Sequence, residues 1–276
     1  MIDSIDDSTI AAQDSHFKRP WRPLFTDIHC HCLPGLDDGP VTMAESLELC
    51  RRLVEEGIAT VVATPHQLGR FEGCNETERV REAVCSLNEA VRNNDIPLKV
   101  VPGGEVRVDE RICQFLKADK ILTLADGGRY ILLELPHEVF IDIEPLVTEL
   151  ASMGIQSVIS HAETNAPLMT QPRVLLRWLE HSAHVQITAS SLMGDFGLEV
   201  QGAAWNFLTS GWARFVATDS HDTNVRRPRT RDAFRSISTK LGEDLAHLVC
   251  IENPSRVVNG RDIMSVRSYK QQEAER

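Results

Sequence analysis

Seven short, unbroken apolar runs punctuate this chain, and stretches of helical period fill the gaps between them. The first run closes at Asp27-Ile28-His29-Cys30-His31. The others are Ile58–Thr64, Leu98–Pro102, Tyr130–Leu133, Ile155–Ser160, His184–Thr188 and Arg214–Thr218. They are continuous rather than alternating, which suits strands of a parallel sheet buried on both faces. Helices are predicted over Thr42–Glu56, Glu76–Asn93, Asp109–Ala118, Ile141–Met153, Arg173–His181, Gly197–Ser210 and Pro228–Leu241. Several of these stretches finish at a glycine (Gly57, Gly154, Gly211, Gly242), as helix C-termini do. Seven strand–helix units in succession predict an α/β barrel. The alternative is a doubly wound open sheet, which would gather its ligands at a single crevice.

What ends each run sharpens the choice. His29 and His31, His66, Glu105, Glu134, His161, and Asp219 with His221 all fall at or just beyond a strand's carboxyl end. The sixth run ends in Ala189-Ser190-Ser191 and offers no strong ligand. From His29 through His66, Glu105, Glu134, His161 and Ser190 to Asp219 the steps are 37, 39, 29, 27, 29 and 29 residues. Each is close to the ~30 residues that a strand, a helix and two loops need. In a barrel these positions meet at one end, where the chemistry of such folds sits. Alternation on a strand puts His29 and His31 on one face and turns Cys30 and Cys32 to the other. Convergent imidazoles and carboxylates are the makings of a metal site.

The 276 residues suffice for one barrel and little else. A net charge of −11 argues against nucleic acid as a partner, because phosphate backbones need clustered Lys and Arg. Residues 1–22 lack the basic start and apolar centre of a signal peptide and read as a flexible arm. Residues 23–264 read as a single domain and 265–276 as a charged tail. No apolar run reaches membrane-spanning length, so no membrane insertion is expected. The seven cysteines form no C-x-x-C pair, and reduced thiols in a cytoplasmic protein are the plain reading.

Taken in order, Asp27-Ile-His-Cys-His31, Asp37-Asp38-Gly39-Pro40, Ala63-Thr-Pro-His66, Gly104-Glu105, Leu133-Glu134, Ile159-Ser-His161-Ala-Glu163, Ala217-Thr-Asp219-Ser-His221 and Glu252-Asn253-Pro254 carry a resemblance. The chain resembles the polymerase-and-histidinol-phosphatase (PHP) superfamily. More closely, it resembles the bacterial tyrosine-protein phosphatases of the capsule and exopolysaccharide type. The resemblance runs from about residue 24 to 260. It implies a distorted (β/α)7 TIM-like barrel, the PHP fold, with three divalent metal ions: manganese first, iron or zinc as alternatives. The implied partner is a phosphorylated tyrosine autokinase that governs polysaccharide synthesis. Carried over, His29, His31, Glu105 and Asp219 would hold one metal. Glu105 would bridge to a second, completed by Glu134 and His161. Asp38, His66 and His221 would hold the third, with Asp38 and His221 also counted among the catalytic residues. Arg226 matches the family's phosphate-clamping arginine, and the adjacent Arg227 is its substitute if the loop is shifted by one. One departure stands out: the family's His-x-Glu-Arg is here His161-Ala-Glu163-Thr164, and Thr164 carries no charge. Arg173 or Arg129 are the replacements the sequence offers. Oligomeric state is left open.

Plainer assignments account for the rest. His16, His137, His181, His184 and His247 are read as surface or packing residues, Asp37 as a turn or capping residue, and Glu163 as supporting a ligand. Three rival functions remain. One is another phosphoesterase of the same fold, acting on histidinol phosphate or a small molecule. Another is a cysteine phosphatase built on Cys250-x5-Arg256, which lacks the glycines of a phosphate cradle. The last is a non-catalytic kinase-binding module.

Overall fold

The computed structural model describes residues 25–266, 268, 269 and 271; the arm over 1–22 lies outside them. All the strand pairings are parallel. Strands β1 (Phe25–Cys30), β2 (Ile58–Ala63) and β4 (Lys99–Pro102) form one sheet, with β2 in the middle. Strands β3 (His66–Gln67), β5 (Glu105–Arg107), β6 (Tyr130–Glu134), β7 (Gln156–Ile159), β8 (Ala183–Thr188) and β9 (Ala213–Ala217) form the other. The ring closes between the ends of β9 and β1. There Asp219 N donates to His29 O at 2.8 Å and His31 N to Ser220 O at 2.9 Å.

The distortion has a local cause. The second and third barrel strands each break in two, at Thr64-Pro65 and at Gly103-Gly104, and only their upper halves, β3 and β5, join the larger sheet. Proline has no N–H to give to a ladder. A Cβ on Gly104 would collide with the Gln67 side chain, so glycine lets these two bends approach. Below the bend, the turn Leu124–Asp126 packs against both β4 and β6.

Helices follow the strands: α1 (Met43–Glu55), α2 (Thr77–Asn93), α3 (Ile112–Lys117), α4 (Glu144–Ser152), α5 (Ala166–Thr170), α6 (Val174–Glu180), α7 (Ala189–Met193), α8 (Leu198–Thr209) and α9 (Thr230–Leu241). Two, α3 and α4, start three residues later than their periodicity predicts. Asp109 and Asp142 turn their carboxylates onto backbone N–H groups two residues on, at 2.8 and 3.2 Å, and form turns instead of first helical residues. The main core lies between strands and helices and includes Cys30, Cys32, Val61, Ile131, Ile159, Val185 and Val216. A smaller cluster of alternate strand positions, Ile28, Val62, Leu132, Val158 and Phe215, fills the inside of the ring. Past the expected end of the domain, Tyr269 is buried and its hydroxyl lies 3.0 Å from His247 Nδ1.

Candidate metal centre

A bulge aims the first histidine. Asp27 pairs with Val61 but Cys30 with Ala63, so β1 holds one residue more than β2 over that interval. Extra residues of this kind re-aim side chains beside active sites. Ile28 thereby stays with the apolar filling while His29 and His31 both reach the polar end above it.

The eight acids and imidazoles expected at the strand ends come together there, joined by Asp38, which the resemblance adds. His29 Nε2 lies 3.2 Å from His31 Nε2. It is 3.4 Å from Glu105 Oε2 and 3.3 Å from Asp219 Oδ1. His31 Nε2 is 3.4 and 3.6 Å from the same two oxygens. His29 Nε2, His31 Nε2 and Asp219 Oδ1 thus lie within 3.6 Å of one another, the spacing of ligands that share one ion. His161 Nε2 meets Glu105 Oε1 at 2.9 Å. His66 stands between two groups: Nδ1 is 3.0 Å from Glu105 Oε2 and 3.7 Å from Glu134 Oε2, while Nε2 is 3.4 Å from Asp38 Oδ1. His221 Nε2 is 3.2 Å from that same Asp38 oxygen. The donor atoms thus fall into four overlapping groups: His29–His31–Asp219, His29–Glu105–His161, His66–Glu105–Glu134 and His31–Asp38–His66–His221. Glu134 meets Glu105 beside His66, a different neighbour from the His161 implied by the resemblance.

These atoms fit metal ions better than they fit one another. Both Glu105 oxygens, Asp219 Oδ1 and His221 Nε2 are buried with no directed hydrogen bond. Meanwhile the other ring nitrogen is held in three of the histidines. His29 Nδ1 lies 3.0 Å from Gln186 Oε1, His31 Nδ1 2.6 Å from Asp37 Oδ2, and His221 Nδ1 3.0 Å from Asp219 O. That leaves the Nε2 lone pairs aimed inward, as in metal-bound histidines. Electrostatics tell the same story. Burial opposes a charged His29, yet the carboxylates of Glu105 and Asp219 raise it to about 9. Burial likewise opposes His66, and Asp38 and Glu105 raise it to about 11. His221 goes the other way, down to about 4, through burial and the neighbouring His31. Asp219 and Glu105, despite burial, are held low by the imidazoles around them. His161 and Asp219 also sit at φ 28° and 51°, a left-handed backbone that non-glycine residues rarely adopt.

Above the cluster opens a cavity of about 620 Å³ lined by Asp38, Glu134, His161, Thr164, Asp219 and Arg226, among others. Arg226 Nη2 donates to Asp219 Oδ2 at 2.7 Å. Arg227 is exposed, and Arg226 is the one of the pair that lines the cavity. Glu163 is buried and accepts from Thr188 N and Ser191 Oγ, at 2.8 and 2.7 Å, bracing the end of β8. Cys250 is buried in a helical segment away from the cavity lining, and burial pushes its thiol far up, which does not suit a nucleophile.

Several site residues escape the sequence reading. His137, expected at the surface or in packing, lines the cavity and stacks on His161 with ring centroids 5.5 Å apart. Asp37 is a turn residue, accepting from Gly39 N at 3.0 Å, but it also orients His31. Gln186 comes from the strand that offers no ligand, and its Oε1 accepts from His161 N at 3.1 Å as well as meeting His29. Its polar place among apolar neighbours in His184–Thr188 is the one signal that could have found it. Arg70, Arg107 and Phe196 also line the cavity.

Residues 25–259 match the family model described as capsular polysaccharide synthesis, CpsB/CapC. Tyrosine-protein phosphatase YwqE of Bacillus subtilis (strain 168) is 36% identical over 239 residues, covering 86% of this chain and 92% of that protein. The putative tyrosine-protein phosphatase CapC of Staphylococcus aureus is 34% identical over 218 residues, covering 78% of this chain and 84% of that protein. A crystal structure from work on YwqE of Bacillus subtilis and CpsB of Streptococcus pneumoniae, described as unique metal-dependent tyrosine phosphatases, superposes with a TM-score of 0.83 at 35% identity. The superposition covers 87% of this chain and 96% of that one. The barrel, the strand-end acids and imidazoles, and these likenesses agree, and the chain belongs to the CpsB/CapC family of capsular polysaccharide synthesis.

Proposed function

We propose that this protein is a metal-dependent phosphatase that removes phosphate from protein phosphotyrosine. The observation that carries this is the inward convergence of imidazole nitrogens and carboxylate oxygens, of which both Glu105 oxygens, Asp219 Oδ1 and His221 Nε2 have no hydrogen-bond partner. His29, His31, Glu105 and Asp219 would hold one divalent ion; Glu105, Glu134 and His161 a second; Asp38, His66 and His221 a third, with His66 within reach of the second as well. Imidazole and carboxylate suit manganese, iron or zinc, and manganese is our choice. Bound dications supply hydroxide from water at neutral pH and neutralise phosphoryl charge. The chain's own part is positioning. Arg226 presents guanidinium N–H groups to the phosphoryl oxygens. Asp38 lines the cavity that the reacting phosphoryl group would enter, with buried His221 in contact with it, Nε2 3.2 Å from Asp38 Oδ1. A phenol leaves far more readily than an alkyl alkoxide, so little help from a general acid is required.

The surroundings suit a polypeptide substrate. Val41, Val139, Phe140, Phe196, Leu198 and Val225 are exposed and lie on the segments that follow the strands, at the same end as the cavity. We assign a phosphorylated tyrosine autokinase of polysaccharide synthesis as the partner and the cytoplasm as the place. Among the described residues no helix is long and apolar enough to cross a membrane. Thr164 in the cavity favours one second reading, a phosphatase of histidinol phosphate or another small phosphomonoester. Stripping the protein with a chelator should abolish hydrolysis of a phosphotyrosyl peptide, and manganese should restore it. Turnover indifferent to chelation would overturn the metal-dependent reading, and turnover confined to histidinol phosphate would favour the second.

A further inference from the structure

The charge missing at position 164 has a counterpart elsewhere in the same cavity. Thr164 spends its hydroxyl on His161 O, at 2.9 Å. The two arginines that sequence offers as substitutes are placed elsewhere. Arg129 donates to Gly260 O at 2.7 Å and pairs with Asp262, while Arg173 is exposed at the start of α6. Neither lines the cavity. Arg107 does, at the end of β5, directly across the β5–β6 pairing from Glu134.

Arg107 is built in rather than draped. Its Nη1 lies 3.0 Å from Glu134 Oε1 and donates to Leu135 O at 3.3 Å. Its side chain is 33% exposed, against 68% for Arg70, the other arginine on that side. A guanidinium carries five N–H donors in a rigid fork. Both of these contacts use Nη1, which leaves the Nε and Nη2 edge for a bidentate anion. Strand order puts Arg107 on the opposite side of the ring from Arg226, which follows β9. Each of the two arginines is anchored by a carboxylate of the proposed metal centre, Glu134 and Asp219.

We propose that Arg107 is the second phosphoryl-gripping residue of this chain, acting from the β5 side opposite Arg226 and supplying the charge that Thr164 lacks. The inference rests on the phosphatase reading, with a phosphomonoester as ligand. The rival role is a brace that only orients Glu134.

The two roles separate on manganese-loaded protein carrying Arg107→Met, Arg107→Lys, Thr164→Arg or the double change Arg107→Met/Thr164→Arg. The probe is inorganic phosphate, titrated by thermal shift and by inhibition of phosphotyrosyl-peptide hydrolysis, with metal content from elemental analysis. Arg107→Met should keep its metal and weaken phosphate binding about tenfold or more, the loss expected for one charge-assisted contact. The KM for peptide should rise in step. Arg107→Lys should recover part of the loss as a point charge, and Thr164→Arg should rescue the Arg107→Met protein. Should Arg107→Met fail to fold, the Arg107→Lys titration decides. Phosphate affinity unchanged in the variants, or lost only in proportion to metal, overturns the proposal. Phosphate binding that depends on Arg107 in a protein inert toward phosphotyrosyl peptide would instead sink the tyrosine phosphatase reading and leave the anion subsite standing.

Discussion

Two imidazole nitrogens 3.2 Å apart, each with its partner nitrogen already engaged, are placed to turn their lone pairs on one shared ion. The groups behind them decide how well they serve. Replacing Asp37 by Asn should leave the turn at Gly39 intact but loosen His31. Metal affinity should fall by roughly 10- to 100-fold, the usual effect of removing a ligand's carboxylate support. Isothermal titration with manganese, beside a circular dichroism spectrum like that of the parent, checks this. Asp37 shows where sequence reading stops. In Asp37-Asp38-Gly39 both carboxylates fit a turn, and nothing in the order of residues says which of them turns back to a histidine six positions earlier. His137 is a sharper case, because a histidine alone in a loop has no periodicity to place it. Its stack on His161 depends on where the segment after β6 meets the end of β7.

Strands and helices followed their periodicity closely; the bends did not. Each apolar run became a strand, and the expected helices appear with slightly shorter ends. The splitting of the second and third strands, and the bulge in β1, come from contacts between segments far apart in sequence. Gly104→Ala tests the bend: its Cβ would collide with Gln67, whose side chain accepts from Leu122 N and donates to Asn75 O, both at 2.8 Å. It should cost roughly 2 kcal/mol in denaturant unfolding and also lower activity, since Glu105 is the next residue. Thr42→Ala is the contrasting change. Thr42 and Glu45 form a capping box at the start of α1 and are neither among the grouped ligands nor among the cavity-lining residues. Its loss should cost about 1 kcal/mol while kcat/KM stays unchanged, as read by chemical denaturation and steady-state assay.

The molecule divides its interior in two. Below, the ring is filled by apolar side chains; above, buried acids and imidazoles crowd one end. Removing the ions should therefore lower the melting temperature as well as activity. At free metal a hundredfold above Kd the stabilisation is about 2.7 kcal/mol. A thermal midpoint unmoved by chelation would count against the centre. A second global response comes from His184, packed in the ring between Tyr130 and Phe215, with Nε2 2.7 Å from Gln156 Oε1. Burial, with Arg214 nearby, lowers it from 6.5 to about 4. The folded protein thus binds fewer protons than the unfolded chain between these values. Its contribution to stability is complete above 6.5 and declines as pH falls toward 4. His184→Gln should flatten that limb of a stability–pH curve measured by urea unfolding.

From its residues alone this chain announced an α/β barrel, the positions that crowd one end of it, and through its resemblance the family to which it belongs. That much is legible because strand and helix periods are local properties and because a parallel barrel brings every strand's carboxyl end to the same place. The folded arrangement alone decided that His66 stands between two groups of ligands, that Gln186 and Asp37 hold the first two histidines, and that Arg107, not Arg129 or Arg173, reaches the cavity. Those outcomes turn on ångström-scale approach between segments brought together by bends and a bulge, and such distances are set by packing across the ring, which no local run of residues encodes.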